Sequence, residues 1–481
     1  MPTVHSLPDA FSMEAAFRRL ATLPGVLWLD SAADGPTITT AAGGEPLGRY
    51  SFLTADPVAT IAAHVGDPNP WPELLAWASR LPTTAVDGLP PFQGGMAGVW
   101  GYEAATWLEP VGPLPADDLP TAAVHVGAYD WVIAHDRVTN RSWLISQGFS
   151  PPDWAANPQQ AERRRDQVLR WLADDPPPIP SPPIRPASAQ PPRPVPQPLY
   201  PTPRAGVFSN FSSVQLRRAI DDIIRRIRRG DSFQVNLAQR LIHPLIGTPS
   251  GLYLRLRQTN PAPLAGFYDA GDFQVLSSSP EGFLRIRDGW VETRPIKGTA
   301  SRSGDPEIDR EAAAVLSASG KERAENVMIV DLMRNDLSRV CEDDSVVVTQ
   351  LCEVEAYAFV QHLVSVVRGK LRPGVSGIDA LAACFPGGSV TGAPKIEAMR
   401  TIAQLEPHRR GPYCGSLGYL SVGGAAEFNI LIRTVTVSGG WCQIPVGGGI
   451  TASSDSRAEE GETWVKAEGM LRATREGIIA E

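Results

Sequence analysis

The chain has 481 residues, 43% hydrophobic and 20% charged, with 44 lysines and arginines against 52 aspartates and glutamates, a formal net charge of −8. This is enough chain for two or more domains and a large core, and the composition excludes a disordered polymer. The acidic balance argues against nucleic acid as the main partner, and an anionic substrate would need a local site of arginine, lysine or metal. Five cysteines, an odd number with no CxxC pair, argue against a disulfide framework or a structural zinc and fit a reducing cytoplasm. The N-terminus lacks a basic segment followed by an apolar one, and no stretch approaches the ~18 apolar residues of a membrane span. A cytoplasmic protein with neither signal peptide nor membrane segment is expected.

Residues 1–175 read as a β-rich first domain with a few helices. Val26-Leu27-Trp28-Leu29 is a short apolar run, and Gly94 to Glu103 is a glycine-studded stretch where backbones can approach closely. Val124 to Ile133 and Arg141 to Ile145 read as strands, and Pro158 to Leu172 as a charged amphipathic helix. Prolines dominate residues 176–205, which read as an extended polyproline-II linker.

The second domain, 206–475, opens with a helix that Ser213 could cap. Its Leu216, Ile220, Ile223, Ile224 and Ile227 fall at helical spacing, and Gly230 stops it. A strand begins at Phe233. Phe273 to Leu276 and Phe283 to Arg287 read as a strand pair leading into Arg294-Pro295-Ile296-Lys297-Gly298-Thr299. Proline stiffens that segment and glycine permits a tight turn or close approach, so Lys297 is expected on shaped backbone. A helix is expected from Arg323 to about Leu337. Another opens at Pro394 with Ile396, Met399, Ile402 and Leu405 on one face, strands fill Leu417 to Val446, and a last helix runs from Glu459 to Arg475.

Thr293 to Thr299 resembles the signature of the aminodeoxychorismate synthase component I family, whose sister, anthranilate synthase component I, has alanine in place of Lys297. Further stretches match the same pattern in the same order: Ser278-Ser279-Pro280-Glu281, ending 16 residues before Lys297; Lys321 to Asn326 leading to Leu337; Val360-Gln361-His362-Leu363; Phe385 to Lys395; and Gly447-Gly448-Gly449-Ile450 followed by Glu459 and Glu462. The resemblance implies an α+β fold of two large, mainly antiparallel sheets packed face to face with helices outside, both domains contributing to one core. It implies chorismate as substrate and Mg²⁺ as cofactor, held by Glu325 and Glu462 with Glu459 beside them. Taken alone, Glu325 could equally be an i,i+4 partner of Lys321.

By the same resemblance, the ring carboxylate would meet the metal and backbone N–H groups near Gly447, Gly448 and Gly449. The enolpyruvyl carboxylate would meet Arg433 and Tyr419, with Gly298 and Thr299 also lining the substrate site. Lys297 would be nucleophile and Glu281 general acid. His362 would lie near the reacting ring, although a lone histidine is as readily structural. A nearby Mg²⁺ and Arg294 would depress the Lys297 pKa. Gln234 stands where relatives that add water to chorismate carry a lysine base, so activated water is not the expected nucleophile. Gly387 to Lys395 superficially resembles a phosphate loop but lacks Gly-Lys-Ser/Thr.

No Gly-x-Cys-x-Gly glutaminase nucleophile is present, so a separate glutamine amidotransferase subunit is implied as ammonia source. Ser31, Arg49 and Tyr50, with Pro263, Leu264 and Ala265, resemble the family's tryptophan pocket. That pocket holds tryptophan or stands empty, and ordinary core residues are the competing reading. Two other functions stay open: anthranilate synthase component I, and a catalytically silent tryptophan-binding homologue.

Overall fold

The computed structural model describes residues 2–32, 46–173, 196–356 and 360–474. Residues 176–195 of the expected linker lie outside them. Beyond these, Tyr200–Pro201 pairs with Phe208–Ser209.

Two antiparallel sheets dominate, one of 13 strands and one of 10 among the described residues. Each takes strands from both halves of the sequence. In the larger sheet Leu27–Asp30 pairs with Leu264–Asp269, and in the smaller Gly95–Trp100 pairs with Ser416–Ser421. The first and second segments therefore share one core. The sheets meet face to face through aromatic rings. Phe52 of the larger sheet contacts Tyr419 of the smaller at 5.5 Å and Phe92 at 5.6 Å, both edge-on. Such pairs contribute about 0.5–1.5 kcal/mol beyond their buried area.

Helices cover the outside. Met13–Leu20, Pro158–Ala173, Pro249–Thr259 and Ser456–Thr474 pack in one apolar cluster; Trp71–Arg80, Ser213–Arg229, Gly320–Ser338, Gly377–Cys384 and Lys395–Leu405 pack in another. Among the described residues no helix is long and apolar enough to cross a membrane.

Several sequence expectations are corrected. Val124–Ile133 is not one strand. Val124–Tyr129 belongs to the smaller sheet and Trp131–Asp136 to the larger. The chain changes sheets at Asp130, whose buried carboxylate accepts Arg164 Nε at 2.9 Å. Likewise Phe273–Ser279 and Gly282–Arg287 do not pair with each other, because the chain crosses between sheets at Pro280. The helix of the second segment is capped by Ser212, not Ser213, in a capping box with Gln215. Gly230 does end that helix in the left-handed conformation, φ +93°. Pro394 is the residue before its helix rather than in the first turn.

Candidate active site

Lys297 lies on strand Ile296–Ser301, which pairs with Val360–Lys370. The register slips between Lys297 and Thr299, so Gly298 forms a bulge that re-aims its neighbours. Gly298 has φ +67°, and a Cβ there would stand 2.7 Å from Leu316 Cδ1. This position therefore requires glycine.

Around the Lys297 ammonium the protein lowers its pKa by burial; the Lys466 charge acts in the same direction, while Glu325, Glu281 and Glu322 oppose it. Burial is the main cause, and the cation that assists it is Lys466. Arg294, the cation expected from sequence, donates instead to Glu355 at 2.6 Å in a buried pair. Glu281 is buried. Burial raises its pKa against a Ser389 hydrogen bond, the Lys297 charge and the Ile296 N–H. A half-buried amine poorer in protons and a carboxyl richer in them therefore face each other at one site.

Four carboxylates converge from two helices. Glu322 and Glu325 come from Gly320–Ser338, and Glu459 and Glu462 from Ser456–Thr474. Burial raises Glu325, with Glu322 and Glu459 adding to the effect; burial and Glu462 raise Glu459. Glu462 behaves differently. Partial burial pushes it up, but Lys466, whose Nζ lies 2.7 Å from Oε1, brings it below the ordinary range. Glu325 Oε1 is buried without a hydrogen-bond partner among the described residues, and Lys321 Nζ is 4.0 Å away. This group lies against the strand at Gly448, where a Cβ would stand 3.4 Å from Lys466 Nζ and 3.5 Å from Glu459 Oε2, in ordinary contact. Among the described residues no three acidic, histidine or cysteine side chains form a ready-made metal cage. The orphaned oxygen and the neighbouring carboxylates fit an open oxygen site, which suits a hard cation that keeps waters.

The glycine run Gly447 to Gly449 ends strand Trp441–Ile450, against Gln234–Pro244. Ala238 N–H donates to Glu406 and Asn236 N–H to Thr391 O, so their partners Gly447 and Gly449 are the non-hydrogen-bonded pairs of this ladder. Their N–H groups point to the other edge, which among the described residues lacks a paired strand beyond Gln443. Gly448 N–H is committed to Leu237, correcting the expectation that it serves an anion. Gln234 packs against Gly449, fully buried, with neither Nε2 nor Oε1 hydrogen-bonded among the described residues.

Arg433 has φ +53°, a left-handed conformation rare for a residue with a side chain. Two bonds hold it there: its carbonyl accepts Ser278 N–H at 3.1 Å, and Nη1 donates to Lys466 O at 3.2 Å. Burial lowers its pKa, with Tyr413 and Glu462 opposing.

His362 is buried, Nδ1 lying 3.0 Å from Thr299 Oγ1 and 3.3 Å from Gly298 O. The carbonyl assigns the hydrogen to Nδ1 in the neutral ring. Burial pushes the pKa down to about 4, with Arg433 acting the same way. A folded value below the unfolded ~6.5 means that stability from this residue is full above pH 6.5 and is lost as pH falls towards 4, by ~3 kcal/mol. Urea unfolding of wild type and His362→Asn across that range is expected to diverge at pH 7 and converge near pH 4. A constant difference would contradict the assignment.

Residues 28–472 match the family of chorismate binding enzymes. The chain belongs to that family. It is 35% identical to aminodeoxychorismate synthase component 1 of Salmonella typhimurium, over 98% of each chain. It is 39% identical to anthranilate synthase component 1 of Thermus thermophilus, over 80% of this chain and 78% of that one. Its backbone follows the crystal structure of anthranilate synthase component I from Streptococcus pneumoniae with a TM-score of 0.74 and 32% identity, covering 89% of this chain and 92% of that chain.

As a chorismate-binding enzyme, the chain draws together Lys297, Gly298, Thr299, Glu281, His362, Arg433, the glycine run and the carboxylates. Tyr419 is a correction. Its hydroxyl accepts Arg287 Nη2 at 3.1 Å and its ring stacks on Phe92 at 4.6 Å, lining a second cavity between the sheets. The phenol beside Arg433 is Tyr413. That second cavity collects Arg49, Tyr50, Pro263, Leu264 and Ala265, together with Asp30 and Glu427. Ser31 is not among its lining residues; its hydroxyl accepts Arg137 Nη1 at 2.9 Å. Asp30 is bound by Arg257 Nε at 2.8 Å.

Sequence reasoning assigned no site role to Lys466, Glu322, Tyr413 or Ser389. Glu322 shares its helix with Glu325 at i−3, and Lys466 follows Glu462 at i+4, spacings that could have suggested both.

Proposed function

We propose that this chain is an aminodeoxychorismate synthase component I, replacing the C4 hydroxyl of chorismate by an amine. The observation that carries this reading is the Lys297–Glu281 pair, in which burial holds the pKa of the amine down and that of the carboxyl up, shifting each towards its neutral form. Neutral Lys297 Nζ attacks C2 of the ring, the ring double bonds shift, and the C4–O bond breaks. The hydroxyl departs as water with the Glu281 proton. Ammonia then bonds at C4, the double bonds shift back, and the C2–Nζ bond breaks. The surplus proton on the new amine returns to Glu281, so chorismate and ammonia give 4-amino-4-deoxychorismate and water.

Arg433 suits the enolpyruvyl carboxylate, since its fork donates in two parallel bonds. The outward N–H groups of Gly447 and Gly449 suit the ring carboxylate. Glu325 and Glu462 would hold Mg²⁺, with Glu459 beside them, and the ion would neutralise and orient that carboxylate. The Gln234 amide has no basic lone pair at neutral pH, which supports amination over hydration.

The second reading is anthranilate synthase component I, favoured by relatives of that name at comparable identity. Incubation with chorismate, Mg²⁺ and an ammonium salt separates the two: a non-aromatic amine is expected, whereas fluorescent anthranilate as the main product would overturn the proposal. Ammonia is expected from a separate glutamine amidotransferase subunit. Ammonium should therefore support turnover, increasingly at higher pH as free NH₃ rises, and glutamine alone should not. Glutamine-dependent turnover by the pure chain would refute that partner assignment.

A further inference from the structure

Strand Gln234–Pro244 has the glycine run along one edge and must satisfy its other edge as well. Short strands cover the two ends of that second edge: Gly392–Ala393 pairs with Gln234 and Val235, and Phe208–Ser209 with Leu241 and Ile242. Between them, among the described residues, no strand pairs with Asn236 to Arg240 on that side. Buried backbone groups left open there would be costly.

A loop carbonyl and three side chains fill the gap. Thr391 O accepts Asn236 N–H at 2.7 Å, Glu406 Oε1 accepts Ala238 N–H at 2.9 Å, and Arg410 Nη2 donates to Asn236 O at 3.1 Å. Asn210 completes the row: its Oδ1 accepts Arg240 N–H at 2.8 Å, and its own N–H donates to Arg240 O at 3.1 Å. Arg410 and Glu406 work as a unit. Both are buried, and Arg410 Nη2 and Nε donate to the two Glu406 oxygens at 2.6 and 2.9 Å. Nη1 donates to Val390 O at 2.9 Å, and the Tyr102 ring lies 4.7 Å from the guanidinium. Glu103 fixes the backbone beneath, accepting the N–H groups of Arg410 and Gly411 at 2.8 and 2.9 Å. A planar guanidinium can serve a carboxylate and two carbonyls at once; an ammonium lacks that fork. A buried ion pair is a poor source of stability by itself. This one makes the bonds that a neighbouring strand would make.

Those bonds reach the substrate side. Asn236 and Ala238 face Arg410 and Glu406, so Leu237 alone of the three turns to the glycine strand, and Gly447 and Gly449 turn their N–H groups to the open edge. A slip of one residue would reverse every one of these directions. Through Val390 O the same guanidinium also ties the turn Gly388–Val390 to the strand. We propose that Arg410, acting with Glu406, is a positioning residue for the substrate carboxylate: the pair takes the place of an edge strand along Asn236 to Ala238 and so holds the Gly447 and Gly449 N–H groups towards the bound anion. The inference rests on the proposed role of these N–H groups towards the ring carboxylate.

A carboxylate held from binding through reaction contributes equally to the ground and transition states, so loosening its site raises KM and spares kcat. Chorismate consumption with saturating ammonium and Mg²⁺ yields both constants, whichever amine is made. Arg410→Lys keeps the charge beside Glu406 but not the fork, and is expected to raise KM for chorismate about tenfold with kcat within about threefold of wild type. Arg410→Met combined with Glu406→Leu removes both charges at similar volume, leaves no lone buried charge, and is expected to raise KM about 30-fold. Thermal unfolding shows which variants are folded. Wild-type KM, or a loss confined to kcat, in the variants that fold would overturn the proposal. Failure of both to fold would also overturn it, making the pair a stability element only. The underlying reading is tested on the wild type, where chorismate with Mg²⁺ is expected to slow hydrogen exchange in the segment Trp441–Ile450. Absence of that slowing would overturn the glycine reading itself, whereas slowing in the wild type with unchanged KM in the variants would overturn only the role of Arg410.

Discussion

Lys297→Ala is expected to lower formation of 4-amino-4-deoxychorismate by about 10³-fold or more, and to uncover a slower reaction at C2. Lys297 does two things in the proposed mechanism: it expels the C4 hydroxyl, and by occupying C2 it keeps ammonia away from that carbon. Alanine removes both the nucleophile and the block. Glu281, Arg433 and the carboxylates come from other elements and remain. Ammonia can then attack C2 directly while the C4 hydroxyl leaves with the Glu281 proton, giving 2-amino-2-deoxyisochorismate and some anthranilate. Lys297→Arg should fail at either route, because guanidinium stays protonated and is bulkier. Mass spectrometry of trapped wild-type enzyme should show a substrate-sized adduct on Lys297. Near wild-type formation of 4-amino-4-deoxychorismate by Lys297→Ala would sink covalent catalysis by this lysine.

Chorismate and Mg²⁺ are expected to bind with positive coupling, each raising the affinity for the other about 5- to 150-fold. Four carboxylates lie near one another here, and among the described residues three of them carry no full ion pair: Glu325 has one orphaned oxygen and Lys321 no closer than 4.0 Å. Among the described residues only Glu462 is well paired, with Lys466. Such a set binds a hard dication weakly until the substrate carboxylate adds oxygen ligands. Calorimetry of chorismate binding with and without Mg²⁺ measures the coupling. Glu325→Gln and Glu462→Gln should each reduce it sharply, because each removes a ligand charge. Chorismate affinity indifferent to Mg²⁺ would exclude this arrangement.

Local signals in the chain decided much of this protein. Helical spacing of Leu216, Ile220, Ile223 and Ile224 with a terminal glycine produced the expected helix, because periodicity and left-handed caps are properties of a few consecutive residues. The ordered motifs from Ser278 to Glu462 placed the lysine, its opposing glutamate and the carboxylates, since side-chain chemistry is written residue by residue. Only the tertiary structure decided which groups meet. That Arg294 is spent on Glu355, so that Lys466 supplies the cation near Lys297, depends on pairing across 61 and 169 positions of chain. That Tyr413, in the turn before strand Ser416–Ser421, rather than Tyr419, within that strand, accompanies Arg433 depends on where the folded chain carries each ring. That the chain changes sheets at Asp130 and Pro280 depends on partners far away in sequence, such as Arg164. Strand alternation alone settles that Gly447 and Gly449 offer their N–H groups while Gly448 does not, but its phase is set by Asn236 and Ala238 bonding to Thr391 and Glu406. Register, pairing and shared burial arise from contacts between distant segments, and no local period encodes them.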